Sequence, residues 1–392
     1  MNQRELSEIR RRLNPEKRNP TILHGCYVSD EGQVISTFTR SFGNMPQEEN
    51  EKYMSLFKRS LSGAFGQNLH HVELTGEDGE VSSQQALLLA LCESGLQDQE
   101  AVSAFFERAI VHVRAVHEDQ AQSVEKQQAA SNYLILLTHD GYDVPMRNSN
   151  DEMDREQSVN VFHYVLCALC PVKQSKPALR YENADNDFHS RASDWVVAAP
   201  ELGFLYPAFE EGGANIHRAL YYTHDAADPH AAFMDSVFGA GLGMTAPQQK
   251  ETLHAILEET LESECDMNVM QAMHEAVTAM IEEQKADKKA EPLAFTPFDM
   301  KNVLADCGVS PAKSEAFAQA CADTFGAQTE IPAINMVTPK QFHVDTPSVS
   351  IRVDPEHRDL IETRIIDGKP YILVLADGDV EVNGVKTRVR AE

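Results

Sequence analysis

One tryptophan, little positive charge and no long apolar run mark this chain, and each shortage closes off a class of function. Its 34 lysines and arginines face 61 aspartates and glutamates over 392 residues, a formal net charge of −27. A field of that sign repels phosphate backbones and anionic lipid, so nucleic acid and membrane surfaces are disfavoured as partners. The densest basic cluster, Arg10-Arg11-Arg12 with Lys17 and Arg18, is too short and too diluted for a polynucleotide groove. No stretch approaches the roughly 18 apolar residues that a membrane span needs. The N-terminal MNQRELSEIRRRLNPEKRNP carries charges where a signal peptide needs an apolar segment. These readings lead to the expectation of a soluble, acidic, cytoplasmic protein.

Cysteine is sparse as well. The seven thiols are scattered and odd in number, which in a reducing compartment reads as small buried hydrophobes rather than a disulfide framework. CALC (167–170) has CxxC spacing, yet there is no second pair to complete a four-ligand zinc site. It lies in a β-like run, where positions three apart face opposite sides. A redox CxxC opens a helix, whereas Cys170 is followed by Pro171.

What is present is ordinary globular material: 42% hydrophobic and 24% charged residues, enough for two or three domains with their own cores. Residues 1–13 read as an amphipathic helix stopped at Asn14-Pro15. Strand-like ILHGCYV (22–28) and VISTFTRSF (34–42) flank the turn Ser29-Asp30-Glu31-Gly32, and helices follow at about 46–61, 82–94 and 97–117. YLILL (133–137), VFHYVLCAL (161–169), WVVAA (195–199), FLYPAF (204–209) and RALYY (218–222) are β-rich, and the first two are apolar on both faces. The acidic RNSNDEMDREQ (147–157) between them reads as an exposed loop.

Helical spacing returns from 247 to 285, with a break at 265–268, and a charged linker follows at 282–292. A helical pair is expected at 297–306 and 311–325, hinged by Gly308, Ser310 and Pro311. From 348 to 390, period-two runs alternate with Asp367-Gly368, Asp377-Gly378 and Asn383-Gly384, the pattern of tight hairpins. The fold expected is therefore α+β. It has a central antiparallel or mixed sheet with helices packed on it (1–246), a helical segment (247–327) and a small C-terminal β-meander (328–392).

Two stretches carry candidate chemistry, THDGYD (138–143) and THDAAD (223–228), each ending an apolar strand-like run. In a chain this long, four matching residues at fixed offsets arise by accident about once. Chemistry keeps the echo in play. His and Asp groups at strand ends suit a divalent metal or an acid–base pair. His139 and Asp140 are the catalytic candidates, and Asp140, Asp143, His224 and Asp225 the metal candidates, with Asp228 and His230 completing the ligand pool. Against this, Asp228-Pro229 reads as an N-cap and first helical residue, and Asp140-Gly141 as a turn. FGAGLGMTAPQQ (238–249) has the glycines of a phosphate loop but follows a helix and lacks the Lys-Ser/Thr of a P-loop. SLSGAFG (60–66) lacks the strand–turn–helix setting of a nucleophile elbow.

GCYV (25–28), SLSGAFGQNL (60–69), NYLILLTHDGYDVP (132–145), CALCPVK (167–173), GFLYPAFEEGGANIHRALYYT (203–223) and LIETRIIDGKPYILV (360–374) together resemble the bacterial family called domain of unknown function 4317. The resemblance runs from about residue 4 to 385 and implies one shared architecture, with no activity, cofactor or partner attached. The functional expectation is thus a non-catalytic protein that binds a protein partner or a small ligand, with no cofactor. The alternative is a metal-dependent hydrolase using the His and Asp groups above, and it alone requires a divalent ion.

Overall fold

The computed structural model describes residues 1–16, 20–74, 81–122, 131–147, 153–287, 290–376, 380–382 and 385–387. Lys17, Arg18, Asp377-Gly378 and Asn383-Gly384 lie outside them, as do residues 148–152 of the expected acidic loop. The chain divides into one unit at Met1–Pro247 and a second at Gln248–Glu392.

The first unit runs α1 (Gln3–Arg12), β1 (Ile22–Val28), β2 (Val34–Ser41), α2 (Gln47–Arg59), β3 (Leu69–Glu73), α3 (Ser83–Glu93) and α4 (Gln99–Gln122). It continues with β4 (Asn132–Arg147), β5 (Met153–Gln174), β6 (Ala178–Glu182), β7 (Asp187–Arg191), β8 (Trp195–Val197) and β9 (Leu202–Tyr206). It closes with β10 (Ala208–Glu210), β11 (Gly213–Asn215), β12 (Arg218–Thr223) and α5 (Ala231–Phe238). One sheet dominates, in the order β2-β1-β4-β5-β9-β12-β3, with β8 also paired to β5. Every pairing in it is antiparallel. The expected loop over 147–157 is shorter than its composition suggests, because β5 already begins at Met153.

Period-two alternation explains why the central strands are apolar throughout. On β4 and β5, Tyr133, Ile135, Leu137, Val165, Cys167 and Leu169 join a core roofed by α3, α4 and α5, through Leu91, Phe105, Val113 and Phe233. Their neighbours Leu134, Leu136, Tyr164, Leu166 and Ala168 join the opposite core, roofed by Leu6 and Ile9 of α1 and Met54 and Phe57 of α2. The antiparallel sheet is therefore the middle layer of three. Gly203 permits close approach at its centre, since a Cβ there would lie 2.5 Å from the Cys167 carbonyl oxygen and 2.7 Å from Ser60 Cβ.

One buried ion pair fastens α1 to the sheet. Arg12 donates from Nε to Asp140 Oδ2 at 2.6 Å and from Nη2 to Oδ1 at 2.9 Å. Nη2 also donates to the Gly141 carbonyl, the Tyr164 hydroxyl donates to Asp140 Oδ2 at 2.7 Å, and the guanidinium lies 4.6 Å from the Tyr142 ring centroid. Asp140 is 2% exposed, so these donors replace the water its charge would otherwise require.

The second unit contains α6 (Ala246–Leu261, whose first two residues belong to the first unit), α7 (Met267–Ala286), β13 (Ala294–Phe295), α8 (Pro297–Asp306) and α9 (Pro311–Phe325). Then come β14 (Ile331–Pro332), α10 (Ala333–Met336) and three hairpins. The hairpins are β15 (Phe342–Thr346) with β16 (Val349–Val353), β17 (Ile361–Ile366) with β18 (Lys369–Val374), and β19 (Val380–Val382) with β20 (Val385–Thr387). Leu257, Leu261, Val277, Leu304, Phe317, Ile331 and Met336 share its core. The α8–α9 hinge forms as its residues predict. Gly308 is left-handed at φ +93°, and Val309 and Gly308 donate back to Leu304 and Ala305, closing a Schellman motif. Ser310 holds the N-cap position, but its hydroxyl donates to Glu264 Oε1 instead of capping α9.

Replacing Asp140 by Ala should strand the Arg12 charge and cost about 3 kcal/mol of stability in urea denaturation. The double variant Arg12→Met with Asp140→Leu should recover much of that loss. A single variant within about 1 kcal/mol of the parent would show that the pair does not anchor α1.

Candidate metal centre

The two Thr-His-Asp stretches do not meet. β4 and β12 are separated by β5 and β9, and three successive antiparallel pairings leave them running in opposite directions. Thr223 pairs with Leu202, Leu202 with Leu169, and Leu169 with Ile135, so the second stretch leaves the sheet at the end opposite Asp140. Strand spacing and rise put Asp140 and Asp225 on the order of 20 Å apart.

The first-stretch residues are engaged elsewhere or exposed. Both Asp140 oxygens are taken by Arg12 and Tyr164. His139, on the other face, stacks on His163 at 5.4 Å and 10°. Burial, then the neighbouring His163, lowers its pKa. Asp143 is exposed. In the second stretch His224 and Asp225 are exposed, and Asp225 Oδ1 accepts the Ala227 N–H at 2.9 Å within a turn. Asp228 does not cap α5. His230 holds the N-cap position, in left-handed conformation at φ 50° and ψ 58°, and donates its N–H to Asp228 Oδ1 at 2.8 Å. Pro229 therefore precedes the cap instead of opening the helix.

That turn delivers His230 into a cluster assembled from three separate places. His112 comes from the buried face of α4, one turn beyond Ala109, and is 2% exposed. Glu201 enters just before β9, its N–H donating to the Leu169 carbonyl and its carbonyl accepting the His224 N–H. His230 is 4% exposed, and its carbonyl accepts the Phe233 and Met234 N–H groups that start α5. Glu201 Oε1 lies 3.6 Å from His112 Nε2 and 3.7 Å from His230 Nδ1. One ligand atom from each residue lies within 4.8 Å of the others.

These separations are too long for hydrogen bonds. The two distances to Glu201 sit a few tenths of an ångström above the roughly 3.3 Å expected between neighbours in a tetrahedral shell with bonds of about 2.0–2.1 Å. His112 Nε2 and both ring nitrogens of His230 are buried without a hydrogen-bond partner. Such nitrogens are rare in proteins unless something binds them.

The electrostatics suit the same purpose. Burial would raise the Glu201 carboxyl, but His112, His230 and Lys173 outweigh it and lower the pKa, keeping it ionised. Burial first, then His112, lowers the His230 pKa against the pull of Asp228 and Glu201, which shifts the ring toward its neutral form. Metal binding requires an ionised carboxylate and a neutral imidazole, and both shifts run that way. Tyr133 packs edge-on to His112 at 6.4 Å, and its hydroxyl is pushed up by burial and then by the Glu201 charge. Asp228 Oδ2 stands 3.4 Å from His230 Nδ1 at the exposed rim. His112 and Glu201 escaped the sequence reading. Only one cue existed, a histidine on the otherwise apolar stripe of α4.

CALC is structural. Cys167 faces the core under α4 and Cys170 the core under α2, on opposite sides of β5. Burial pushes the Cys170 thiol up to about 12, and the fully buried Cys167 thiol well above its ordinary value. Neither should be alkylated by iodoacetamide in the native chain at neutral pH, as read by peptide mass spectrometry; rapid labelling would contradict a two-core sheet.

No curated protein matches the chain. The family model described as Domain of unknown function (DUF4317) matches residues 1–385, nearly all of the sequence, and the chain belongs to that family.

Proposed function

We propose that this chain is a divalent-metal protein whose centre is His112, Glu201 and His230, and that it uses the ion for hydrolysis of a small polar substrate. The supporting observation is the convergence of unpartnered buried imidazole nitrogens on one carboxylate. Three protein ligands suit a working site better than a structural one, which takes four. Glu201 retains 25% exposure and Asp228 57%, so one side of the cluster faces solvent. A divalent ion there would supply Lewis acidity. The chain's own groups orient it: Glu201 is held by backbone bonds on both sides, His230 by its left-handed turn. Asp228 stands at the open side, its Oδ2 3.4 Å from His230 Nδ1.

A second reading, binding of a protein partner, rests on the β6–β7 hairpin and β8. Leu179 is 74% exposed, Phe188 62% and Trp195 47%, more apolar surface than one short hairpin ordinarily shows to water.

Metal analysis separates the readings. Purified chain should carry or take up one Zn²⁺, Mn²⁺ or Fe²⁺ per molecule and melt at higher temperature with it. His112→Gln and Glu201→Gln should abolish both effects, while Asp225→Asn, in its exposed turn, retains them. A chain that stays metal-free, with melting unmoved by all three ions, would sink the proposal.

A further inference from the structure

The second unit holds a cleft of about 350 Å³ that is independent of the metal reading. This is the size range of small-molecule sites. One wall is apolar and deformable, built from Met270 and Met273 of α7, Met336 of α10 and Phe342 of β15. Methionine walls adapt to unbranched and irregular apolar groups.

The rest of the lining is polar and anchored to that wall. His274 of α7 bonds through Nε2 to the Thr338 carbonyl at 3.0 Å, and its ring meets Phe342 edge-on at 5.4 Å. These contacts tie the segment leading into β15 to the helix that carries the methionines. Lys250 of α6 reaches the same segment, its Nζ 3.3 Å from Thr338 Oγ1. An ammonium has three N–H donors, so this long bond leaves it capacity for an acceptor in the cleft.

The fixed charges define the occupant. Among the lining residues Lys250 is the one permanent cation and Asp345 the one carboxylate. Burial, then the Lys250 charge, lowers the His254 pKa, so that ring adds no charge at neutral pH. A dianion or a nucleotide would meet one cation opposed by Asp345, in a chain of net charge −27. A ligand with one positive group, one negative group and an apolar body meets all three features.

We propose that this cleft binds a free α-amino acid with an apolar side chain. Its carboxylate pairs with Lys250, its ammonium with Asp345, and its side chain lies on Met270, Met273 and Met336. Charge-assisted hydrogen bonds at both ends then set specificity, and the methionines set tolerance for side-chain shape.

Calorimetry on the full chain with L-methionine, L-leucine and L-phenylalanine tests this. Saturable binding in the millimolar range or tighter is expected. N-acetyl-L-methionine, L-methioninamide and glycine should each bind at least about tenfold more weakly. Lys250→Met should weaken L-methionine by about tenfold while leaving L-methioninamide unchanged, and Asp345→Asn should do the same with N-acetyl-L-methionine as its unchanged partner. Both side chains lie outside the core of the unit, so the variants should fold. Failure of all three amino acids to bind at millimolar concentration, or equal binding of the blocked analogues, would overturn the proposal. The variant His112→Gln should bind amino acids normally, so loss of the metal centre and loss of this site remain distinguishable.

Discussion

From Tyr164 to Val172 strand β5 is buried on both faces, and much of the first unit follows from that. A strand with water on neither side must be covered twice, so helices have to pack above and below the sheet. Its even-numbered residues from Phe162 to Cys170 commit to the layer holding α1 and α2, and Val165, Cys167 and Leu169 to the layer holding α3, α4 and α5. A slip of one residue would exchange those two sets completely. The pairing of β5 with both β4 and β9 is thereby held in one register, and the site positions are held with it.

Polar groups taken into this double-faced core find two kinds of solution. Asp140 is satisfied fully by Arg12 and Tyr164, which turns a buried charge into a clamp for the first helix. The His112–Glu201–His230 cluster lies on the other side of the sheet and is not satisfied among the described residues. The contrast gives the cluster its meaning. A protein able to neutralise Asp140 with three hydrogen bonds leaves two imidazole nitrogens facing one carboxylate, with left-handed strain at His230.

The period-two runs, the helix at α1, the Gly308-Ser310-Pro311 hinge and the break before α7 were legible because each depends on neighbours within a few residues. The opposite facing of Cys167 and Cys170 was legible for the same reason, since strand geometry alone dictates it. Whether the Thr-His-Asp echo was more than an accident could not be decided locally, because local sequence carries no strand direction. Only the order β4-β5-β9-β12 reverses one stretch relative to the other. Likewise Asp228-Pro229 has the composition of a helix start, but hydrogen bonding to the His230 N–H moved the cap two residues on.

By itself the sequence determined the fold class, the two-sided burial of the central strands, the opposite facing of Cys167 and Cys170 and the net charge of −27. These are properties of composition and short-range periodicity. The tertiary structure alone decided which polar groups meet. His112, Glu201 and His230 are separated by 89 and 29 positions along the chain and converge only when α4, the lead into β9 and the turn before α5 pack on one sheet face. Ligand chemistry depends on distances of a few ångströms, and no local pattern encodes such distances between segments that far apart.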